Sequence, residues 1–134
     1  MNLLIDTNVV LEILYCREHL EEAQELLDHA SAERYLLSDL SLFSLGILTF
    51  RHRRPEAFLR FIEEVLLTGR VRVASLPHDR FVRVAEIAGR FGLTFDDAYQ
   101  YAVAESLDLT IVSFDADFDR TERGCRTPDQ VVPA

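Results

Sequence analysis

Four short apolar runs punctuate the chain, at residues 2–5 (NLLI), 34–38 (RYLLS), 70–76 (RVRVASL) and 109–113 (LTIVS), with helix-patterned segments between them. Such runs, ending abruptly at polar residues, suit buried parallel strands. A chain that alternates strand, helices, strand, helices calls for an α/β fold. The expectation is a three-layer α/β/α sandwich with a mostly parallel central sheet of four or five strands, a fifth arising from an edge strand near Val131 and Val132. With 134 residues, no internal repeat and no linker, residues 1–134 read as one domain with one core.

The intervening segments are amphipathic. Thr7 and Asn8 are suited to cap a short helix over 9–14, and residues 18–30 place Leu20, Ala23, Leu26 and Leu27 on one face. Asp39 or Ser41 is suited to cap a helix running to about Phe50, and RHRRP at 51–55 breaks it, because Pro55 disfavours helical geometry in the residue before it. Residues 56–67 form another helix, stopped by Gly69. Pro77 opens a helix over 78–90, Gly92 interrupts, and 96–106 forms the last. The stripes Leu42, Leu45, Leu48 and Phe58, Phe61, Ile62 are core, a dimer face, or a groove for a partner helix; sequence does not separate these.

Charge narrows the chemistry. The net charge is −9, against non-specific nucleic-acid binding, yet it is unevenly spread. Residues 1–50 carry −7, residues 51–90 carry +4 and residues 91–134 carry −6. A basic middle between acidic ends suits a cation site beside a polyanion-binding face; a solvated helical surface of mixed sign would read the same way. All fourteen basic residues are arginine. Without lysine there is no phosphate loop, no Schiff base and no phospho-acceptor pocket of the receiver type. No GxGxxG is present to hold a dinucleotide. Cys16 and Cys125 have no metal spacing and read as free thiols, and His19, His29, His52 and His78 share no spacing. MNLLIDTNVV lacks the pattern of a secretory signal, and no stretch offers about 18 apolar residues, so no membrane span is expected and the cytoplasm is the expected location.

The carboxylates carry the functional signal. In an open parallel sheet, ligands bind beyond the carboxyl ends of the strands, where strand order reverses. Asp6 ends the first apolar run, Asp115 follows the fourth, and Asp97 lies in the first turn of a helix whose amino end should face the same way. Each has a plainer reading: Asp6 as a helix cap, Asp97 as a favourable first-turn charge, Asp115 as a turn residue, Asp117 and Asp119 as an acidic loop, and Asp96 as a cap. Gathered carboxylates, however, must hold protons or a cation. Oxygen ligands without cysteine or histidine suit Mg²⁺ or Mn²⁺ and not Zn²⁺. Such an ion activates water and neutralises charge on a phosphodiester. A phosphatase with an aspartate nucleophile wants a second acid two residues on, where Asn8 stands.

The pattern resembles the PIN-domain nucleases, in particular the VapC-type toxins of toxin–antitoxin pairs. LLIDTNVVLE resembles that family's first strand and first metal-binding aspartate, at Asp6, with Thr7 and Asn8 beside it. LTFDDAYQYAVAESLDLTIVSFDADFD resembles its second half, with an acidic position at Asp97 and a strand ending in Ser113 and Asp115, Asp117 following. The resemblance implies a PIN-like fold and a Mg²⁺- or Mn²⁺-dependent endoribonuclease with Asp6, Asp97 and Asp115 catalytic and Asp117 an added metal ligand. It further implies a dimer silenced by a cognate antitoxin. Arg51, Arg53 and Arg54 are candidate contacts for RNA phosphates. One position departs: Ser44 stands where the family places a glutamate, and Asp39, five residues earlier, is no obvious substitute. The alternative reading is a catalytically weak or inactive RNA-binding or interaction module of the same fold.

Overall fold

β1 (Leu3–Ile5) lies at the centre of a sheet of order β3-β2-β1-β4, with β2 at Tyr35–Ser38, β3 at Arg72–Ala74 and β4 at Thr110–Val112. The computed structural model describes residues 1–132. Every pairing is parallel: Leu3 is in register with both Tyr35 and Thr110, and Ile5 with Val112. Among the described residues six α-helices fill the connections: α1 (Thr7–Leu14), α2 (Leu20–Asp28), α3 (Asp39–Arg51), α4 (Pro55–Phe61), α5 (Phe81–Phe91) and α6 (Phe95–Leu107).

Side-chain alternation along the strands makes the layers. Leu4, Leu36, Ala74 and Ile111 face one side and pack with Val84 and Ile87 of α5 and Ala98, Tyr101 and Ala102 of α6. Leu3, Ile5, Leu37 and Val112 face the other side. They meet Val9 and Val10 of α1, Ala23 and Leu26 of α2, Leu45 of α3 and Phe61 of α4. Two cores sandwich one sheet, as the alternation of runs predicts.

The differences from expectation are local. There is no edge strand at Val131–Val132, which follow a 3₁₀ turn at Pro128–Gln130; the sheet edge beside β4 is met only by a single parallel bridge between Val112 and Arg126. Asp6 caps α1, as its plainer reading had it, in place of Thr7 or Asn8; Ser38 caps α3 by accepting from the Ser41 N–H, and Thr94 caps α6 in place of Asp96, one to three residues earlier than expected. The helix over 56–67 is α4 followed by one π-type turn, Ile62–Leu66, where the Leu67 N–H reaches the Ile62 carbonyl at 2.9 Å. The segment 78–80 is 3₁₀ before α5 begins, and α5 ends at Gly92, whose φ of 65° is the left-handed geometry glycine tolerates. No helix among the described residues is long and apolar enough to cross a membrane.

Candidate active site

The strand order reverses between β1 and β4. The chain steps outward from β1 through β2 to β3, then returns to add β4 on the other flank. A crevice opens at that point, beyond the carboxyl ends of the two central strands. Because Ile5 pairs with Val112 in parallel register, the next residues, Asp6 and Ser113, leave the sheet side by side, and the Asp6 N–H bonds the Val112 carbonyl at 2.9 Å.

Asp6 is only 7% exposed and its carboxylate is ringed by donors. Oδ1 accepts from the Thr7 N–H at 2.8 Å and from Gln100 Nε2 at 2.9 Å. Oδ2 accepts from the Ser113 hydroxyl at 2.8 Å and from Asn8 Nδ2 at 3.4 Å. Burial drives its pKa above the usual carboxylate value, against the opposing hydrogen bonds from Gln100, Ser113 and Thr7. Asn8 and Ser113 carry the order outward. Asn8 Nδ2 donates to Ser113 Oγ at 2.9 Å, its Oδ1 accepts from the Phe114 N–H at 3.2 Å, and Ser113 Oγ accepts from the Asp115 N–H at 2.9 Å.

Asp115 caps a 3₁₀ turn, Ala116–Arg120, its Oδ1 accepting from the Asp117 N–H at 2.8 Å. That turn folds Asp117 back beside Asp115. Asp97, in the first turn of α6, closes the group: one carboxylate oxygen each from Asp97, Asp115 and Asp117 lie within 4.8 Å of one another. The Asp97 carboxyl is pushed up to about 7 by burial first and then by the charges of Asp115, Asp6, Asp117 and Asp96. Arg120 pairs with Asp117 at 3.3 Å, and among the described residues no other cation pairs with an acid of this group.

A cavity of about 380 Å³ collects most of these residues, with Ser113 and Asp117 outside its lining. Asp6, Asp96, Asp97 and Asp115 line it with Thr7 and Asn8, and Leu11, Leu40, Ile47 and Leu48 form its apolar wall. Ser44 lines it too and brings no charge. Asp39 is not part of the lining; its Oδ1 accepts from the Tyr99 hydroxyl at 2.7 Å, and burial together with this contact pushes Tyr99 up to about 12. Arg51, Arg53 and Arg54 stand at the carboxyl end of α3, roughly 15 Å along the helix from Ser41 at a rise of about 1.5 Å per residue. Arg54 donates to the Leu14 carbonyl at 3.2 Å and lies over the Tyr15 ring. Both cysteines are free, and burial pushes the Cys125 thiol up to about 11.

Sequence reasoning missed Gln100, Ser41 and Arg120. Gln100 is one helical turn beyond Asp97 and so faces the same cavity, a spacing readable in principle. Ser41 is brought to Gln100 only by the packing of α3 against α6, with Nε2 to Oγ at 2.6 Å. The donor set as a whole, all oxygen and mutually repelling, fits a hard divalent cation and gives a soft one nothing to bind.

The PIN-domain profile matches residues 3–124 of the chain. No curated protein sequence matches it. Among solved structures, a toxin–antitoxin complex from Klebsiella pneumoniae aligns with 95% of this chain and 98% of its own at TM-score 0.71 and 18% identity. VapBC-1 from nontypeable Haemophilus influenzae aligns over 96% and 99% at TM-score 0.73 and 20% identity. VapC20 of Mycobacterium tuberculosis, a sarcin–ricin loop cleaving toxin, aligns over 88% and 93% at TM-score 0.73 and 20% identity. At these identities the likeness is one of fold.

Proposed function

Since the chain belongs to the PIN-domain family, we propose that it is a Mg²⁺- or Mn²⁺-dependent endoribonuclease, the toxin of a toxin–antitoxin pair. The observation that carries this reading is the approach of Asp97, Asp115 and Asp117 to within 4.8 Å at the mouth of a cavity floored by Asp6. Three carboxylates so close repel one another, and a divalent cation relieves that repulsion better than protons do at neutral pH.

Asp97, Asp115 and Asp117 would hold the ion together with Asp6 from the more deeply buried side. A divalent cation bound there would supply a water of lowered pKa and positive charge against a phosphodiester oxygen. The protein's own contribution is orientation. Ser113, Gln100 and Thr7 fix both oxygens of Asp6, and Asn8 ties α1 to the segment leaving β4, so that Asp115 cannot drift. Leu11, Leu40 and Leu48 exclude water along one wall. Arg51, Arg53 and Arg54 are proposed contacts for the RNA backbone away from the reacting bond.

An antitoxin partner is supported by a relative of the same fold that is itself a toxin–antitoxin complex. A dimer is supported by the exposed apolar face of α3, where Phe43, Ile47 and Phe50 are each more than half exposed. A second reading, a PIN-fold module without catalysis, is favoured by the uncharged Ser44 at the cavity wall. Cleavage of single-stranded RNA with Mg²⁺ or Mn²⁺ decides between them. The enzyme cuts, and Asp6→Asn and Asp97→Asn each lower the rate by about a hundredfold or more, the scale of losing one electrostatic stabiliser of the transition state. No cleavage at any metal concentration selects the module.

A further inference from the structure

Gln100 is 3% exposed, and its Oε1 is buried without any hydrogen-bond partner, alone in this among the described side chains. Buried carboxamide oxygens normally find a donor. The nitrogen of the same group is committed twice, to Asp6 Oδ1 at 2.9 Å and to Ser41 Oγ at 2.6 Å. The second distance is short for N–H···O and ordinary for O–H···O. Thr7 and Ser38 also reach the Ser41 oxygen, at 2.8 and 3.2 Å, so this hydroxyl is crowded with donors. A hydroxyl has two lone pairs and one proton to give.

Rotation about χ3, a soft two-fold torsion, exchanges the two ends of the carboxamide. Ser41 could then donate to Oε1, while the amide N–H groups would take the place where Oε1 now lies without a partner, so the exchange costs free energy until something rewards an oxygen facing Asp6. Oε1 would also face Asp6 Oδ1 at the distance now spanned by the hydrogen bond. Two oxygens in that arrangement repel unless a cation lies against them. The nitrogen-inward state therefore suits an empty pocket and the oxygen-inward state a filled one. Ser44, also lining the cavity, offers it only a neutral hydroxyl.

We propose that Gln100 supplies the oxygen donor that Ser44 does not, turning its carboxamide so that Oε1 joins Asp6 when a divalent cation enters the cavity. This rests on the metal-dependent reading above, and it makes the donor set less negative than one with an acid on α3.

The test is Mn²⁺ binding to the full chain, followed by the electron paramagnetic resonance of free Mn²⁺, for the unaltered protein, Gln100→Leu, Gln100→Glu and the Gln100→Leu/Ser44→Glu pair. Gln100→Leu is expected to weaken binding by about tenfold or more, the scale of losing a ligand or its direct support. Gln100→Glu is expected to tighten it, and Ser44→Glu to restore what Gln100→Leu loses. In the unaltered protein, Mg²⁺ should shift the Gln100 side-chain amide resonances as its N–H groups leave Asp6, a readout that needs no variant to fold. A folded Gln100→Leu that binds Mn²⁺ normally, a Gln100→Glu as weak as Gln100→Leu, or amide resonances unmoved by saturating Mg²⁺ each overturns the proposal. If the unaltered protein binds no Mn²⁺, the metal-dependent reading itself falls and takes this one with it.

Discussion

The Ser113 hydroxyl donates to Asp6 Oδ2 across 2.8 Å, joining residues 107 positions apart at the ends of two neighbouring strands. The same oxygen accepts from Asn8 and from the Asp115 N–H, so one small hydroxyl orders three of the residues around the cavity.

Ser113→Ala should therefore destabilise the fold by more than a surface serine would. It leaves a buried carboxylate oxygen with one long contact and strips two donors of their acceptor, at a cost of about 1–3 kcal/mol. Thermal or urea denaturation measures it. A loss too small to resolve would mean that Asp6 is not held by this bond.

Acid should stabilise the metal-free chain. Asp97, at about 7, lies above its ordinary value of 3.8, and Asp6 is raised in the same direction. A carboxyl with a raised pKa is held protonated more tightly by the folded state, so its penalty is absent below about pH 4 and grows as pH climbs through the folded value. With EDTA present, Tm should fall between about pH 4 and 7. Asp97→Asn should flatten that decline, leaving the part due to Asp6, and Mg²⁺ should raise Tm of the unaltered chain at pH 8. An Asp97→Asn curve parallel to the unaltered one would remove Asp97 from the account.

Arg120→Gln probes the ion pair that Arg120 makes with Asp117 in the acidic group. Both partners are about half exposed, so stability should change by less than about 1 kcal/mol. Freed of its guanidinium, Asp117 should bind Mn²⁺ more tightly, by no more than about fivefold, the equivalent of that same bound. Weaker Mn²⁺ binding in the variant would show that Arg120 positions the carboxylate instead of competing for it.

The apolar face of α3 gives a prediction about assembly. Phe43 is 63% exposed, Ile47 57% and Phe50 59%, and the Phe50 and Phe58 rings meet edge to face. The purified chain is expected to dimerise through this face, and Phe43→Ser with Ile47→Ser to leave a folded monomer by light scattering. Neither residue is buried in the protomer, so the melting of a dilute sample should barely change. A dimer that survives both substitutions would place the contact elsewhere.

Much of this was legible in the chain itself. Alternation of apolar runs and amphipathic helices led directly to a parallel sheet between helical layers, because strand burial on both faces leaves a signature in composition. Asp6, Asp97 and Asp115 were readable for a related reason: each lies just past a strand end or in the first turn of a helix, and parallel connectivity sends such points to one edge of the sheet. Caps and strand lengths were less legible. They turn on hydrogen bonds of about 1 kcal/mol that Ser38, Asp39 and Ser41 were equally equipped to make. The edge strand near Val132 failed because two valines show preference for extended structure but carry no information about whether a neighbour is free to pair.

Local chemistry in the sequence thus determined the layers, the sheet and the edge where the acids gather, since periodicity and strand ends are properties of short segments. Tertiary packing alone decided that Ser113 bonds Asp6, that Ser44 turns toward the cavity, and that Gln100 sits between Asp6 and Ser41. Those are contacts between elements distant in the chain. Their partners are chosen by how helices settle on the sheet, a choice made by the whole core at once.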